Sequence, residues 1–178
     1  MCSIEKCRVP GNAILVRYSI SGAYTDCYMT EVPGFIALSD FLYIFYTTFL
    51  FKLERFILSW TVSKPSTDAQ ARQLADGVLE SFAAWNVEER NENQILMCDF
   101  RGRTCSWLMA TSVSTDRGTR TRLYFGSAIV PVRNPKTDEL SIGLVFQLLL
   151  GFHQLYSVLL LYAAKLCLQS QRKTKQWT

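Results

Sequence analysis

Three side chains of this sequence are the strongest candidates for acid–base chemistry: Glu54, His153 and Tyr156. His153 is the single histidine of the chain, and an imidazole exchanges protons readily near neutral pH. Tyr156 follows three residues later, on the same face of a helix, so the pair could supply a general base and a second polar group. The alternative is a neutral core histidine that is hydrogen-bonded to a backbone carbonyl.

Glu54 is unusual because a helix over 49–62 places it on the apolar side. Lys52 and Arg55 lie on the polar stripe of that helix, and Glu54 points the opposite way. A lone buried carboxylate is costly, so Glu54 must be paired, protonated or functional. Two simpler explanations are an ion pair with an arginine of the later strands, such as Arg122, and a helix phase that is wrong by one residue.

A set of apolar and small side chains is predicted to surround these groups and to contact a ligand. Its members in the strands point inward if the side chains alternate as in a regular sheet. Its members on the terminal helix flank His153. The candidate ligand contacts are Trp85, Trp107, Met109, Phe125, Leu149 and Ser157. A set of this kind is also typical of an ordinary hydrophobic core.

The six cysteines do not form a metal-binding pattern. None of their spacings is a CxxC pair, and a single histidine excludes a site with several histidines, so we predict no metal, no cofactor and reduced thiols. If two strands turn at Arg101-Gly102, Cys98 lies opposite Cys105, as a thiol site, a redox switch or two small core residues. A three-residue loop would instead turn Asp99 inward.

Motifs and charge argue against several classes of function. The sequence contains no GxGxxG, P-loop, GxSxG or HExxH motif. Its net charge is only +4, and no dense run of lysine and arginine alternates with aromatic residues. We therefore do not predict nucleic-acid binding.

The elements that would position these residues form one α+β domain spanning all 178 residues. Four consecutive strands joined by tight turns make an antiparallel meander, whose apolar face needs helices to cover it. The predicted elements are a strand over 13–32, a helix from a cap at Ser39-Asp40 to a break at 47–48, helices over 49–62 and 69–79, strands over 82–90, 94–100, 104–114 and 119–132, and a helix over 140–169 before a basic tail over 170–178.

The segment 140–164 contains no charged residue and is long enough to span a membrane. On a helix, however, one narrow stripe contains Gln147, Gly151, Gln154, Lys165 and Gln169. Such a stripe favours a helix that is buried against a curved sheet and exposes one thin strip to water. The competing interpretation is a membrane-spanning or interfacial helix followed by a basic flank.

This order of elements resembles the helix-grip fold of the START, polyketide-cyclase and SRPBCC superfamily, in which a curved antiparallel sheet wraps around a long C-terminal helix. The segments 149–156 (LLGFHQLY) and 124–126 (YFG) are also similar to a family of uncharacterised bacterial domains. The superfamily resemblance implies a cavity between the sheet and the C-terminal helix. It further implies a hydrophobic ligand, such as a lipid, sterol, polyketide or isoprenoid.

We therefore expect a cytoplasmic protein that binds a hydrophobic small molecule. One alternative is an enzyme of the cyclase, dehydratase or isomerase type, in which Glu54, His153 and Tyr156 act on an enclosed apolar substrate. Another is a membrane-associated protein with 140–164 facing lipid. The low content of charged residues and the many aromatic residues also allow a homodimer or a peripheral membrane contact as partner hypotheses.

Overall fold

The computed structural model describes residues 3–61, 66–116, 118–133, 140–141 and 144–175, and it confirms an α+β fold. A curved antiparallel sheet of seven strands is accompanied by helices, the last of which is long, in a helix-grip-like arrangement. The elements are β1 (Glu5–Lys6), α1 (Val16–Ile20), β2 (Tyr24–Pro33), α2 (Leu38–Thr47), α3 (Phe49–Thr61), α4 (Asp68–Ala75), β3 (Ser81–Phe82), β4 (Trp85–Arg90), β5 (Gln94–Asp99), β6 (Thr104–Thr115), β7 (Gly118–Ile129), β8 (Val132–Arg133), β9 (Leu140–Ser141) and α5 (Leu144–Lys175).

The order of strands in the sheet is β1-β2-β7-β6-β5-β4-β3. The predicted meander is confirmed, because β4, β5, β6 and β7 pair with one another in sequence order. The early strand β2 returns to pair with β7 over its whole length, from Tyr24 opposite Ile129 to Pro33 opposite Arg120. This long-range pairing places the first and last long strands side by side, under α5.

Both faces of the sheet are buried. The helix face carries Leu108, Leu123 and Phe125, which pack with α2, α3, α4 and α5. The N-terminal face carries Leu96 and Trp107, which pack with Leu15 and its neighbours ahead of β2. Successive side chains of a strand point to opposite faces, so each long strand contributes to two separate cores.

The prediction that Trp107 and Met109 point toward the C-terminal helix is therefore wrong. Both side chains lie on the N-terminal face and are almost fully buried there, at 0% and 1% exposure. The strand β6 is apolar at consecutive positions, as expected for a strand with two covered faces. The sequence pattern therefore does not show which of its side chains face the C-terminal helix. The predicted early strand is also wrong in part, because residues 16–20 form α1 and cover this second face.

The hairpin between β5 and β6 has the predicted register, with Cys98 opposite Cys105. The face is the reverse of the prediction, since the cysteine pair lies on the N-terminal face and Thr104 lies at the cavity described below. The Asp99 carboxylate turns into the hairpin loop, where Oδ1 accepts hydrogen bonds from the backbone N–H groups of Arg101 and Arg103, at 3.1 and 2.8 Å.

Helix starts follow the sequence signals unevenly. The predicted cap at Ser39-Asp40 is wrong, because α2 begins at Leu38 with Ala37 as an N-cap that makes no side-chain hydrogen bond. The start of α4 does carry a local cap: Thr67 accepts from the backbone of Gln70, and the Gln70 side chain accepts from the backbone of Thr67. This reciprocal pair is a capping box.

The predicted polar stripe of α5 is exposed only in part: Gly151 is exposed, Gln154 and Gln169 are half-buried, and the side chain of Gln147 lies outside the described residues. Lys165 is buried, at 4% exposure, and its Nζ donates a hydrogen bond to Thr30 Oγ1 at 2.9 Å. An apolar row is exposed instead, at a spacing of three and four residues along the helix: Phe152, Leu155, Leu159, Tyr162 and Leu166. Within the described part of the chain, no helix is both long enough and apolar enough to cross a membrane.

Candidate functional site

A cavity of about 610 Å³ lies between the helix face of the sheet, α3 and α5. Its wall is mostly aromatic and aliphatic, with a few polar side chains among them. The lining residues are Phe45, Tyr46, Leu50, Phe51, Leu53, Glu54, Trp85, Thr104, Cys105, Ser106, Phe125, Ser127, Phe152, His153, Leu155, Tyr156, Ser157, Leu159 and Leu160.

The cavity collects all three side chains that the sequence singles out for acid–base chemistry. Glu54 comes from α3, and His153 and Tyr156 come from neighbouring turns of α5. The candidate ligand contacts divide into three groups. Trp85, Phe125 and Ser157 line the cavity, Trp107 and Met109 lie on the N-terminal face, and the side chain of Leu149 lies outside the described residues.

Glu54 pairs with Tyr156 across the gap between α3 and α5. The Tyr156 hydroxyl donates to Glu54 Oε2 at 2.5 Å. Burial raises the pKa of Glu54, and the hydrogen bond from Tyr156 opposes that shift only in part. Burial and the nearby Glu54 carboxyl likewise raise the pKa of Tyr156. Glu54 is accessible from the cavity yet surrounded by protein, which favours a neutral carboxyl group that can both donate and accept a hydrogen bond.

The alternative partner for Glu54 is wrong, because Arg122 belongs to the other face of the sheet. Arg122 Nε lies 2.8 Å from Glu31 Oε1. By the alternation of side chains along β2 and β7, both residues point to the N-terminal face. The polar stripe of α3 is also only half correct. Lys52 is exposed and pairs with Asp68, whereas Arg55 is buried and binds Asp68 and Ser66.

A second polar group at the cavity contains two residues that sequence reasoning missed, Asp26 and Ser127. Ser127 Oγ donates to Asp26 Oδ1 at 2.6 Å and lies 2.8 Å from His153 Nε2. The backbone N–H of Ser127 also donates to Asp26 Oδ1, at 3.2 Å. Asp26 Oδ2 lies 3.5 Å from His153 Nε2. His153 Nε2 therefore faces a buried carboxyl group and the serine bound to it.

A signal for Asp26 does exist in the sequence. Asp26, Tyr28, Thr30 and Val32 alternate along β2, and all four are buried, at 4% exposure or less. A carboxylate in phase with apolar residues of a strand is the strand equivalent of Glu54 on its helix. Ser127 carries no such signal, because a serine is common at half-buried strand positions. Only the pairing of β2 with β7 brings Ser127 opposite Asp26.

No protein-family model, curated protein or solved structure matches this chain. The functional argument therefore depends on the cavity and its chemistry. Two hydroxyl–carboxyl pairs, Tyr156 with Glu54 and Ser127 with Asp26, lie in or directly behind an apolar wall. Such an arrangement can orient the polar end of an apolar molecule, and it can move a proton between that molecule and Glu54 or His153.

The N-terminal face carries a second cluster of reactive side chains, around a disulfide between Cys98 and Cys105. The expectation of reduced thiols is wrong for this pair. Glu88 Oε2 lies 2.7 Å from Cys98 Sγ and accepts a hydrogen bond from the Tyr18 hydroxyl, also at 2.7 Å. The ligand atoms of Glu88 and the two cysteines lie within 4.8 Å of one another. The sulfurs are bonded to each other, however, so they offer no thiolate to a metal ion.

Proposed function

We propose that this protein binds a hydrophobic small molecule, of the lipid, sterol, polyketide or isoprenoid type, in the cavity between the sheet and α5. The observation that carries the proposal is an apolar cavity of about 610 Å³ with a small number of convergent polar groups. Cavities that hold small molecules typically measure about 300–1,000 Å³ and have this composition. The helix-grip-like arrangement supports the same proposal, through the resemblance to the START, polyketide-cyclase and SRPBCC superfamily.

The mouth of the cavity also suits an apolar ligand. Leu53 of α3 and Phe152, Leu155 and Leu159 of α5 line the cavity, and each is at least 43% exposed. Exposed apolar side chains of this size are unfavourable in water unless a partner or a ligand uses them. Their position at the opening gives an apolar molecule a continuous path from the surface to the interior.

A pair of matched variants tests whether the cavity is the binding site. Ser106 and Ser112 lie on the same face of β6, but only Ser106 lines the cavity. Delipidated protein, prepared without detergent, is titrated with the uncharged fluorescent dye Nile red. We expect Ser106→Phe to fill the cavity and weaken dye binding at least about tenfold, whereas Ser112→Phe leaves binding unchanged. Equal binding by both variants would place the dye elsewhere and refute the proposal.

A second candidate function is acid–base catalysis on an enclosed apolar substrate, of the cyclase, dehydratase or isomerase type. The observation that favours it is the presence of Glu54 and His153, with different surroundings, in one cavity. A neutral Glu54 would protonate the substrate, His153 would accept a proton, and Tyr156 would orient Glu54.

The test of catalysis uses the molecule that co-purifies with the protein. That molecule is incubated in deuterated water with the wild-type protein and with Glu54→Gln, and mass spectrometry follows its deuterium content. Proton transfer at carbon predicts deuterium uptake with the wild-type protein only, while both proteins bind the molecule. Binding without any uptake in the wild-type protein would leave the protein as a carrier.

A further inference from the structure

Two hydroxyl groups of the cavity, those of Tyr156 and Ser127, direct their protons to carboxyl groups. Tyr156 has one O–H proton and donates it to Glu54 Oε2, and Ser127 has one O–H proton and donates it to Asp26 Oδ1. A hydroxyl group is one donor and two acceptor lone pairs. Once both protons are directed to carboxyl oxygens, the remaining capacity of Tyr156 and Ser127 is to accept. These two hydroxyl groups therefore offer a ligand acceptor lone pairs and no O–H proton.

The charge of the wall points the same way. None of the described residues that line the cavity is a lysine or an arginine. His153 is the only described lining residue with a basic side chain, and Asp26 Oδ2 lies 3.5 Å from its Nε2. The carboxyl group of Asp26 beside this imidazole offsets positive charge there. The cavity thus provides no net positive charge for an anionic group that leaves water.

One oxygen of the buried Asp26 carboxyl group also lacks a donor. Asp26 is 3% exposed, and Oδ2 has no hydrogen-bond partner among the described residues. Buried polar atoms are nearly always hydrogen-bonded, and an exception marks a place where a further donor is favourable. This atom lies directly behind the Ser127 and His153 side chains that face the cavity.

We propose that the cavity selects an apolar molecule whose polar end is a hydroxyl group, in preference to molecules that end in a carboxylate or an ether. This inference rests on the proposed function, that the cavity holds a hydrophobic small molecule. A hydroxyl donates to the lone pairs of Ser127 or Tyr156 and accepts from neutral Glu54, so it matches both kinds of group. A carboxylate brings an uncompensated charge beside Asp26, and an ether has no proton to give.

The test compares three ligands with chains of similar length and different polar ends: dodecanol, dodecanoate and methyl undecyl ether. Each displaces Nile red from delipidated wild-type protein at neutral pH, below the concentration at which dodecanoate forms micelles. We expect dodecanol to bind at least about tenfold more tightly than dodecanoate, and more tightly than the ether. If the carboxylate or the ether binds as tightly as the alcohol, the inference is overturned and the binding function stands. If Nile red binds but none of the three displaces it, or if Nile red itself does not bind, the proposed function fails as well.

Asp26→Asn shows whether the buried charge causes the discrimination. Asparagine keeps the acceptor for Ser127 and removes the negative charge, so the preference for the alcohol over the carboxylate falls by at least about threefold. Glu31→Gln is the matched control, since Glu31 is on the same strand but on the other face. We expect this variant to prefer the alcohol over the carboxylate as strongly as the wild-type protein does. An unchanged preference in folded Asp26→Asn would overturn the role of Asp26. Should that variant not fold, the wild-type comparison still decides the selectivity.

Discussion

Two buried polar side chains on opposite faces of the sheet, Gln94 and Asp26, differ in their hydrogen bonding. On the N-terminal face, both polar atoms of the Gln94 amide are paired: Oε1 accepts from Trp107 Nε1 at 3.0 Å and from the backbone of Ile14 at 2.9 Å, and Nε2 donates to the carbonyl of Asn12 at 2.9 Å. On the helix face, Asp26 Oδ2 has no hydrogen-bond partner among the described atoms, and burial raises the pKa of Glu54.

In our proposal, this difference separates a polar group that builds the fold from polar groups that are available to a ligand. A buried amide whose oxygen and nitrogen are both paired fixes the position of the N-terminal segment. A carboxyl group held at an apolar cavity without full pairing destabilises the folded protein, so its presence there points to a role other than stability. Counting buried charges would not distinguish these two side chains. What distinguishes them is that Asp26 Oδ2 has no hydrogen-bond partner among the described atoms and lies behind the wall of a cavity.

The largest effect is expected from Trp107→Ala on the N-terminal face. Trp107 is fully buried and holds Gln94, so its loss should lower the free energy of unfolding by about 3–5 kcal/mol, as for other large aromatic side chains. Urea unfolding followed by circular dichroism measures this change. Nile red affinity of the folded fraction should equal that of the wild-type protein. Lost dye binding in a folded variant would contradict the separation of the two faces.

Gly126 gives the next largest effect, because it lies where the N-terminal segment approaches the sheet. A Cβ at this position would lie 2.8 Å from the Asp26 carbonyl oxygen and 2.8 Å from Leu15 Cδ2. Gly126→Ala should therefore cost about 1–3 kcal/mol by overpacking.

The matched control for this variant is Gly151→Ala on α5, where a Cβ meets no atom within 4 Å. Alanine favours a helix over glycine, so this variant should gain up to about 1 kcal/mol. Thermal unfolding of both variants measures the contrast. Equal effects would show that the close approach at Gly126 is not limiting.

On the helix face, Glu54→Gln should change how stability depends on pH. Burial raises the pKa of Glu54 in the folded protein, so the protonated form is favoured by folding. Its contribution is complete below the pKa of the unfolded chain, about 4.3, and is lost as pH rises through the folded value. The wild-type protein should therefore lose stability relative to Glu54→Gln as the pH increases above about 4.3. Urea midpoints at several pH values measure this, and a constant difference would contradict it.

The smallest effect is expected for Arg122→Ala. Arg122 pairs with Glu31 in a partly exposed ion pair, and such pairs contribute about 0–1 kcal/mol. Because Arg122 lies on the face opposite Glu54, the pH dependence attributed to Glu54 should be the same in this variant. The pH series is repeated with Arg122→Ala and with Arg122→Ala/Glu54→Gln, because Arg122 also lowers the pKa of Glu31 and the difference between these two variants removes that effect. If this difference departs from that between the wild-type protein and Glu54→Gln, Arg122 and Glu54 are coupled through the sheet.

The sequence predicts much of the architecture because most of its signals are local. Turn residues mark the meander, and the register at Cys98 and Cys105 follows from the hairpin between them. Glu54 and His153 are found by helix phase alone, since each helix has one strongly apolar side. The capping box at Thr67 is likewise visible within four residues.

The sequence does not predict features that depend on contacts between distant parts of the chain. Trp107 is assigned to the wrong face because the segment before β2 covers the second face, and no local pattern in β6 shows this. Lys165 is buried because Thr30, 135 positions earlier, accepts its hydrogen bond. Ser127 becomes part of the site only through the pairing of β2 with β7.

The central claim, that the cavity on the helix face holds a hydrophobic small molecule, is tested most directly by native mass spectrometry of detergent-free protein, followed by organic extraction. The account predicts that wild-type protein carries an added mass, which extraction recovers as an uncharged apolar alcohol. It predicts that Ser106→Phe lacks this mass and that Ser112→Phe retains it. Equal added mass in all three proteins, or none in the wild-type protein, would contradict the claim.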